Sequence, residues 1–285
     1  GSLIGWYRID TFFRQGILTD ANKQNAILIK TFVTTELQRA IAERYGIDCI
    51  DTLTGFKYIG QKLSKYEAQI PAKERENYRQ LSEAQTRDLR LEHSKFFVFG
   101  GEESYGYLGS DFLRDKDANG AAVMFGELAA HAKSNGLTLP ELLDQVYCDY
   151  GYFIEKLHSV ILEGAEGAAQ IARLAESYST NPPAEVDGSA VSGVRDFATQ
   201  EIIDPEGDKI PTEKMLIVDL EDGRAFAVRP SGTEPKIKYY LYGRKRPVEG
   251  EKFSAEELSG IKTEVADSLT ALWSWLDADI KTRLA

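Results

Sequence analysis

The apolar positions change period along the chain, and each change marks an element. From Leu3 to Gln15 apolar and aromatic residues recur at near-helical spacing and stop at Gly16, which predicts a helix. The run Ala26-Ile27-Leu28-Ile29-Lys30-Thr31-Phe32 predicts a buried strand, and Thr35 opens a helix to Tyr45 with Gly46 as its C-terminal stop. Ile47-Asp48-Cys49-Ile50 predicts a second short strand, and the turn Thr54-Gly55 leads into an amphipathic helix from Phe56 to Lys65. Strand alternating with helix predicts an α/β unit with a mixed, mostly parallel sheet. Phe96-Phe97-Val98-Phe99 adds a strand that runs into Gly100-Gly101, and helices follow from Gly120 to Lys133 and Pro140 to Tyr150. Tyr152–Leu162 is expected to return as a strand, and Ala165–Tyr178 to close the unit as a helix.

Asn181-Pro182-Pro183 is the strongest linker signal, because the prolines disfavour helix and impose an extended path. Beyond it, short alternating stretches (Ala190–Phe197, Met215–Asp219, Ala225–Val228, Lys236–Tyr242) and a helix from Ser254 to Asp279 predict a smaller α+β module. The expected division is therefore 1–180 and 181–285. Residues 72–92 fit neither pattern, being dense in charge with few apolar positions. They read as a solvated helix or inserted arm, with a partner-binding arm as the rival.

Composition narrows the function classes. With 42% hydrophobic and 28% charged residues the chain is globular. No apolar run approaches the roughly 18 residues of a membrane span. Two cysteines cannot staple a chain of this size. The start Gly1-Ser2-Leu3-Ile4 lacks a basic signal-peptide leader, and together with the cysteines this predicts a cytoplasmic protein. Forty-five acids against 34 bases give a net charge of −11, which disfavours nucleic acid and anionic membrane as partners. A small anion stays admissible, since a local donor cluster outweighs distant charge screened over about 8–10 Å.

Four short motifs carry candidate chemistry. Arg229-Pro230-Ser231-Gly232-Thr233-Glu234-Pro235 sets a guanidinium, two hydroxyls and a glycine in one turn between two predicted strands, with Lys236 and Lys238 beside it. Those donors suit a phosphate; the plain alternative is a Pro/Gly hairpin turn. Gly100-Gly101-Glu102-Glu103-Ser104-Tyr105-Gly106-Tyr107 follows an apolar strand, where open α/β sheets place ligands, and its carboxylate and hydroxyl could meet adjacent sugar hydroxyls. The plain alternative is an acidic surface turn. Asp115-Lys116-Asp117-Ala118-Asn119-Gly120 imitates a calcium loop, but Gly126 stands where the bidentate acid belongs, so Asp117 or Asn119 capping a helix is the better reading. Thr52-Leu53-Thr54-Gly55-Phe56-Lys57 is a strand-to-helix turn with a nearby lysine, open to an anion or to ordinary capping. His93, His131 and His158 lack zinc-ligand spacing.

Taken in order, T-L-T-G-F-K-Y-I-G, G-G-E-E-S-Y-G-Y, R-D-K-D and R-P-S-G-T-E-P-K-I-K resemble the α-D-phosphohexomutase superfamily. Within it, they resemble the C-terminal half of a bacterial phosphoglucomutase/phosphomannomutase. The resemblance implies the third α/β domain followed by a smaller α+β lid domain of the TATA-box-binding-like type. It implies a parent enzyme, an isomerase, that moves a phosphoryl group between the 1- and 6-positions of a hexose through a phosphoserine and a bisphosphate. Glucose 1,6-bisphosphate is then the intermediate and activator, and Mg²⁺ the metal. The chain has no Ser-His-Asn-Pro-like loop and no D-G-D-x-D-R loop. The phosphoserine and the metal site are thus expected in amino-terminal domains that would be its partners, and no metal site is expected here. This chain alone is expected to be inert.

By the same resemblance Glu102 and Ser104 would grip the sugar 3- and 4-hydroxyls, and Thr54, Gly55 and Lys57 would face the substrate. Lys116 would reach the substrate with a role in proton transfer, and Arg229, Ser231, Gly232, Thr233 and Lys238 would hold the phosphate that is not transferred. The alternatives carried forward are half of a phosphopentomutase or other sugar-phosphate mutase, a stand-alone sugar-phosphate-binding module, and an interaction module built on residues 72–92.

Overall fold

In the computed structural model, which describes residues 1–232 and 234–285, the chain divides into two compact units, Gly1–Val146 and Tyr147–Ala285. The expected phosphate-loop residue Thr233 lies outside the described residues.

The first unit is built on β1 (Ala26–Thr31), β2 (Asp48–Thr52), β3 (Phe96–Gly101) and β4 (Tyr107–Leu108), in the order β2-β1-β3-β4. β1 pairs in parallel with β2 and β3, and the short β4 turns back antiparallel on β3. Both faces of β1 are covered, which explains the apolar run Ala26-Ile27-Leu28-Ile29. Ile27 and Ile29 pack with Phe56, Ile59 and Leu63 of α3 (Phe56–Gln69). On the other face, a β-carbon at Gly5 of α1 (Ser2–Arg14) would lie 3.1 Å from the Phe99 ring and 3.7 Å from Leu28. α2 (Leu37–Tyr45) stops at Gly46, which takes the left-handed conformation as anticipated. α5 (Ala118–Ser134) has Asp117 as its N-cap, with the carboxylate accepting the Asn119 N–H at 3.1 Å, so the calcium-like sequence is a capping turn. α6 (Leu139–Tyr150) closes the unit and runs across the division.

The charged stretch is mostly exposed, as expected of a solvated helix or inserted arm, but it is anchored at two positions. It forms a single 3-10 turn at Tyr78–Gln80 and then α4 (Glu83–His93), which opens with a reciprocal Ser82/Gln85 capping box. Tyr78 and Arg90 are both buried, at 5% and 2% exposure.

The second unit is a six-stranded antiparallel sheet in the order β5-β10-β9-β8-β7-β6. Its strands are β5 (Tyr152–Ile161), β6 (Glu185–Val186), β7 (Ser189–Asp196), β8 (Leu216–Leu220), β9 (Ala225–Pro230) and β10 (Lys236–Lys245). Alternate residues of the central strands (Val218, Phe226, Val228, Tyr239, Leu241) face a core completed by α7 (Gly164–Thr180) and α8 (Ala255–Leu284). β5 pairs with β10 along its whole length, and Leu174 and Tyr178 of α7 enter that core. Both elements therefore sit with the second compact unit, 146/147 being the division by contacts rather than the expected 180/181. Asn181-Pro182-Pro183 is a short connection from α7 to β6 inside that unit. No helix among the described residues is long and apolar enough to cross a membrane.

Candidate functional site

Parallel pairing sends β1, β2 and β3 in one direction, so the chain leaves Thr31, Thr52 and Gly101 at one edge of the sheet, where α/β sheets place ligands. Two of the sequence motifs occupy this edge and are bonded to each other. The Glu102 carboxylate is 8% exposed and accepts the Gly55 N–H at 2.6 Å, joining turns 47 residues apart. Gly55 has φ +122° and stands just before α3, so a side chain here would strain the backbone that aims this N–H. The loop tip is closed by Glu102 N–H donating to the Gly106 carbonyl at 2.9 Å, and β4 follows directly. Thr31 Oγ1 donates to Glu103 at 3.5 Å, tying the tip to β1.

Lys116 reaches the same place. Its ammonium lies 5.8 Å from the centroid of Phe56, the residue after Gly55, and 3.4 Å from Asp115. Gly106, Glu102 and Lys116 are close enough that a β-carbon on Gly106 would sit 3.2 Å from both side chains. Ser104 is exposed at the tip, next to Tyr105, which is 88% exposed with φ +66°. Thr54 is half-buried, and the exposed Lys57 lays its ammonium 4.8 Å from the Tyr58 ring. The structure thus gathers Gly55, Glu102 and Lys116, whereas Lys57 is turned onto its neighbour. Burial raises the Tyr107 hydroxyl above its ordinary value, with Tyr105 adding to the effect.

Sequence reasoning missed the charges beneath this edge. The Lys30 side chain is fully buried, with its ammonium 2.7 Å from Glu36 and 2.8 Å from Asp51. Arg39 bridges the same two carboxylates at 3.0 and 2.5 Å. Although burial opposes a charge on Lys30, the attraction of Asp51 and Glu36 outweighs it and raises its pKa, and the same cations lower that of Glu36. This neutral tetrad fixes the ends of β1 and β2, from which the Thr54-Gly55 turn departs. A lysine inside an apolar strand was the available signal.

In the second unit the phosphate-like motif forms the β9–β10 connection. Arg229 and Lys238 are directly opposite across the two strands, an arrangement of like charges that an anion would relieve. Glu213 faces Arg229, with one oxygen 3.3 Å from both Nε and Nη2. The turn is braced by Ser231 N–H donating to the Lys236 carbonyl at 2.9 Å, and by Glu234 N–H donating to Ser231 Oγ at 3.3 Å. Lys236 pairs with Glu234 at 2.7 Å and holds that carboxylate below its usual range. Gly232 is exposed, its φ is not positive, and a β-carbon there would meet nothing within 4 Å.

Among the described residues one acidic group could gather around a cation. Asp204, Glu206 and Asp208 place carboxylate oxygens within 4.8 Å of one another. Asp204 also accepts the backbone N–H groups of Glu206 and Asp208 at 2.9 Å each, and the flanking residues Ile203 and Lys209 bridge. The cluster is thus a self-bonded hairpin turn. Among the described residues Asp115 and Asp117 contribute to no such group.

Two family models match the chain. Residues 11–74 and 84–150 match the phosphoglucomutase/phosphomannomutase alpha/beta/alpha domain III, and residues 163–268 match the C-terminal domain of the same family. Phosphoglucomutases from two strains of Staphylococcus aureus are 32% identical over 223 residues, covering 76% of this chain and 36% of each of those proteins. The crystal structure of parafusin, a phosphoglucomutase from Paramecium in its open form, aligns with 99% of this chain and 41% of its own at 16% identity and a TM-score of 0.57. The chain belongs to the phosphoglucomutase/phosphomannomutase family. It spans about a third of the length of the curated relatives it matches.

Proposed function

We propose that this chain is the sugar- and phosphate-recognising part of a phosphohexomutase that interconverts hexose 1-phosphate and hexose 6-phosphate through a bisphosphate. The observation that carries the reading is the bond from Gly55 N–H to Glu102, because it unites two distant motifs at the ligand-binding edge of a parallel sheet. In this reading Glu102 is held for the sugar: one oxygen is fixed by the backbone, which orients the carboxylate to accept from the 3- and 4-hydroxyls alongside Ser104. Thr54 and Lys57 flank the sugar, and Lys116 serves proton transfer at the reacting oxygen. Arg229, Ser231, Gly232, Thr233 and Lys238 grip the phosphate that is not being transferred. Gly232 supports this: neither packing nor backbone strain explains a glycine there, whereas close approach of a ligand would.

Phosphoryl transfer is accelerated mainly by positioning and charge stabilisation, and these residues supply positioning. The reading assigns the phosphoserine and Mg²⁺, which would stabilise charge on the transferring group, to domains of a longer cytoplasmic protein. A grip on the 3- and 4-hydroxyls does not read the 2-position, so these residues do not themselves choose between glucose and mannose phosphates.

The test is calorimetric titration with glucose 1-phosphate and glucose 1,6-bisphosphate. Binding that is weakened at least tenfold by Arg229→Ala and by Glu102→Gln is the expected result. Equal affinity in wild type and both variants would remove the reading, and multiple turnover by the chain alone would refute the division of labour.

A further inference from the structure

The family match breaks between residues 74 and 84, and the skipped segment builds a cavity. The cavity has a volume of about 220 Å³ and lies within the first unit, lined from that segment by Tyr78, Arg79, Leu81 and Glu83. One face of α4 adds Arg87 and Arg90, and the chain after β4 adds Asp111 and Phe112. None of Thr54, Gly55, Glu102, Ser104 or Lys116 lines it.

Three arginines, Arg79, Arg87 and Arg90, and two acids, Glu83 and Asp111, line it, in a chain of net charge −11. Arg90 is 2% exposed and pairs with Asp111 at 2.6 Å, while its Nε donates to Tyr78 at 2.8 Å. Arg87 pairs with Glu83 at 2.6 Å and Arg79 with Glu67 at 2.8 Å. Glu67 must also serve Arg114, which it contacts closely. Arg8, outside the lining, donates to the carbonyls of Val98 at 2.9 Å and of the cavity residue Gly109 at 2.6 Å. Arg87 Nε is in addition a buried donor with no acceptor among the described residues. A buried N–H of a charged group without a partner is a vacancy for an acceptor oxygen, and guanidiniums favour phosphate oxygens.

We propose that this cavity is a second anion site, separate from the Arg229 loop, for the phosphate monoester of a small organic molecule. The phosphate meets Arg87 and its neighbouring guanidiniums, and the carbon part lies against Phe96 and Phe112, which also line the cavity. Tyr78, Arg79, Leu81 and Glu83 of this wall belong to the segment the family model omits, so relatives that lack that segment would not form the same cavity.

Inorganic phosphate is the probe, titrated calorimetrically into wild type, Arg229→Ala, Arg87→Gln and the double variant. The expected result is two sites in wild type, one in each single variant and none in the double. Loss of all phosphate binding in Arg229→Ala, or unchanged binding when Arg87→Gln is added to it, would overturn the proposal. Amide signals of Arg229→Ala provide a reading that leaves the cavity unmutated. Saturable shifts at residues 78–90 and 109–112 support the site, and shifts absent there mean a hydrated ion-pair network instead.

Discussion

Lys30→Met nearly preserves side-chain length and deletes one charge from the buried tetrad beneath the edge of the sheet that carries Gly55 and Glu102. In the wild type two cations, Lys30 and Arg39, balance two carboxylates, Glu36 and Asp51. Removing one member of a buried pair typically costs 3–5 kcal/mol because its partner stays behind uncompensated. Here Asp51 and Glu36 keep 16% and 29% exposure and both retain Arg39, so the lower end applies, about 3 kcal/mol. With a urea dependence of about 2 kcal/mol per molar, the midpoint of the first unit should fall by roughly 1.5 M. Hydrogen exchange read by mass spectrometry across a urea series reports each unit separately, and the second unit should be unchanged. The pH dependence supplies an internal control. Glu36 has its pKa lowered in the folded state, so its contribution is present above the ordinary 4.5 and lost as pH falls through the folded value. The Lys30 pKa is raised, so its contribution is present below the ordinary 10.5 and lost only as pH rises through the still higher folded value. Wild type should therefore lose stability on acidification below about pH 4.5, and Lys30→Met should lose less. A midpoint shift under about 0.3 M, or equal acid sensitivity in both proteins, would refute the view that the tetrad holds this edge together.

Gly55→Ala forces a β-carbon onto a residue with φ +122°, and should cost about 1–3 kcal/mol of first-unit stability while weakening glucose 1-phosphate binding by displacing the N–H that holds Glu102. Urea unfolding and calorimetry measure the two effects. Glu213→Gln removes the carboxylate facing Arg229, and phosphate should bind about threefold tighter, the scale of a partly exposed ion pair of 0.2–1 kcal/mol. Weaker binding would mean that Glu213 holds Arg229 in its working position. The Cys49 thiol is pushed up to about 12, chiefly by burial, so at neutral pH it should resist a maleimide that labels the less buried Cys148, and react only after unfolding. Peptide mapping of the labelled protein checks this.

What the sequence disclosed and what it concealed differ in the range of the interactions involved. The helix stop at Gly46, the Asp117 cap and the apolar strands β1 and β3 are decided by residues within a few positions, and all were readable from local pattern. The four motifs were visible because each is a contiguous set of donors or acceptors. Their assembly was not visible, because the Glu102–Gly55 bond spans 47 residues and depends on which strands are neighbours. The same blindness misplaced the division between the units. β5 follows the helices of the first unit in sequence, but its ladder partner is β10, and the proline pair that looked like a domain linker is a local bend between α7 and β6. Charge concealed single positions. Residues 72–92 are mostly exposed, as their charge predicts, yet Arg90 is buried because Asp111 and Tyr78 satisfy it. Lys30 follows the same rule, buried by virtue of Glu36 and Asp51. In both places one partner arrives from a distant element, Asp51 for Lys30 and Asp111 for Arg90, and composition in a local window cannot register it. The tertiary pairing of charge, more than apolar periodicity, thus determines which polar residues of this chain become structural and which stay available for a ligand.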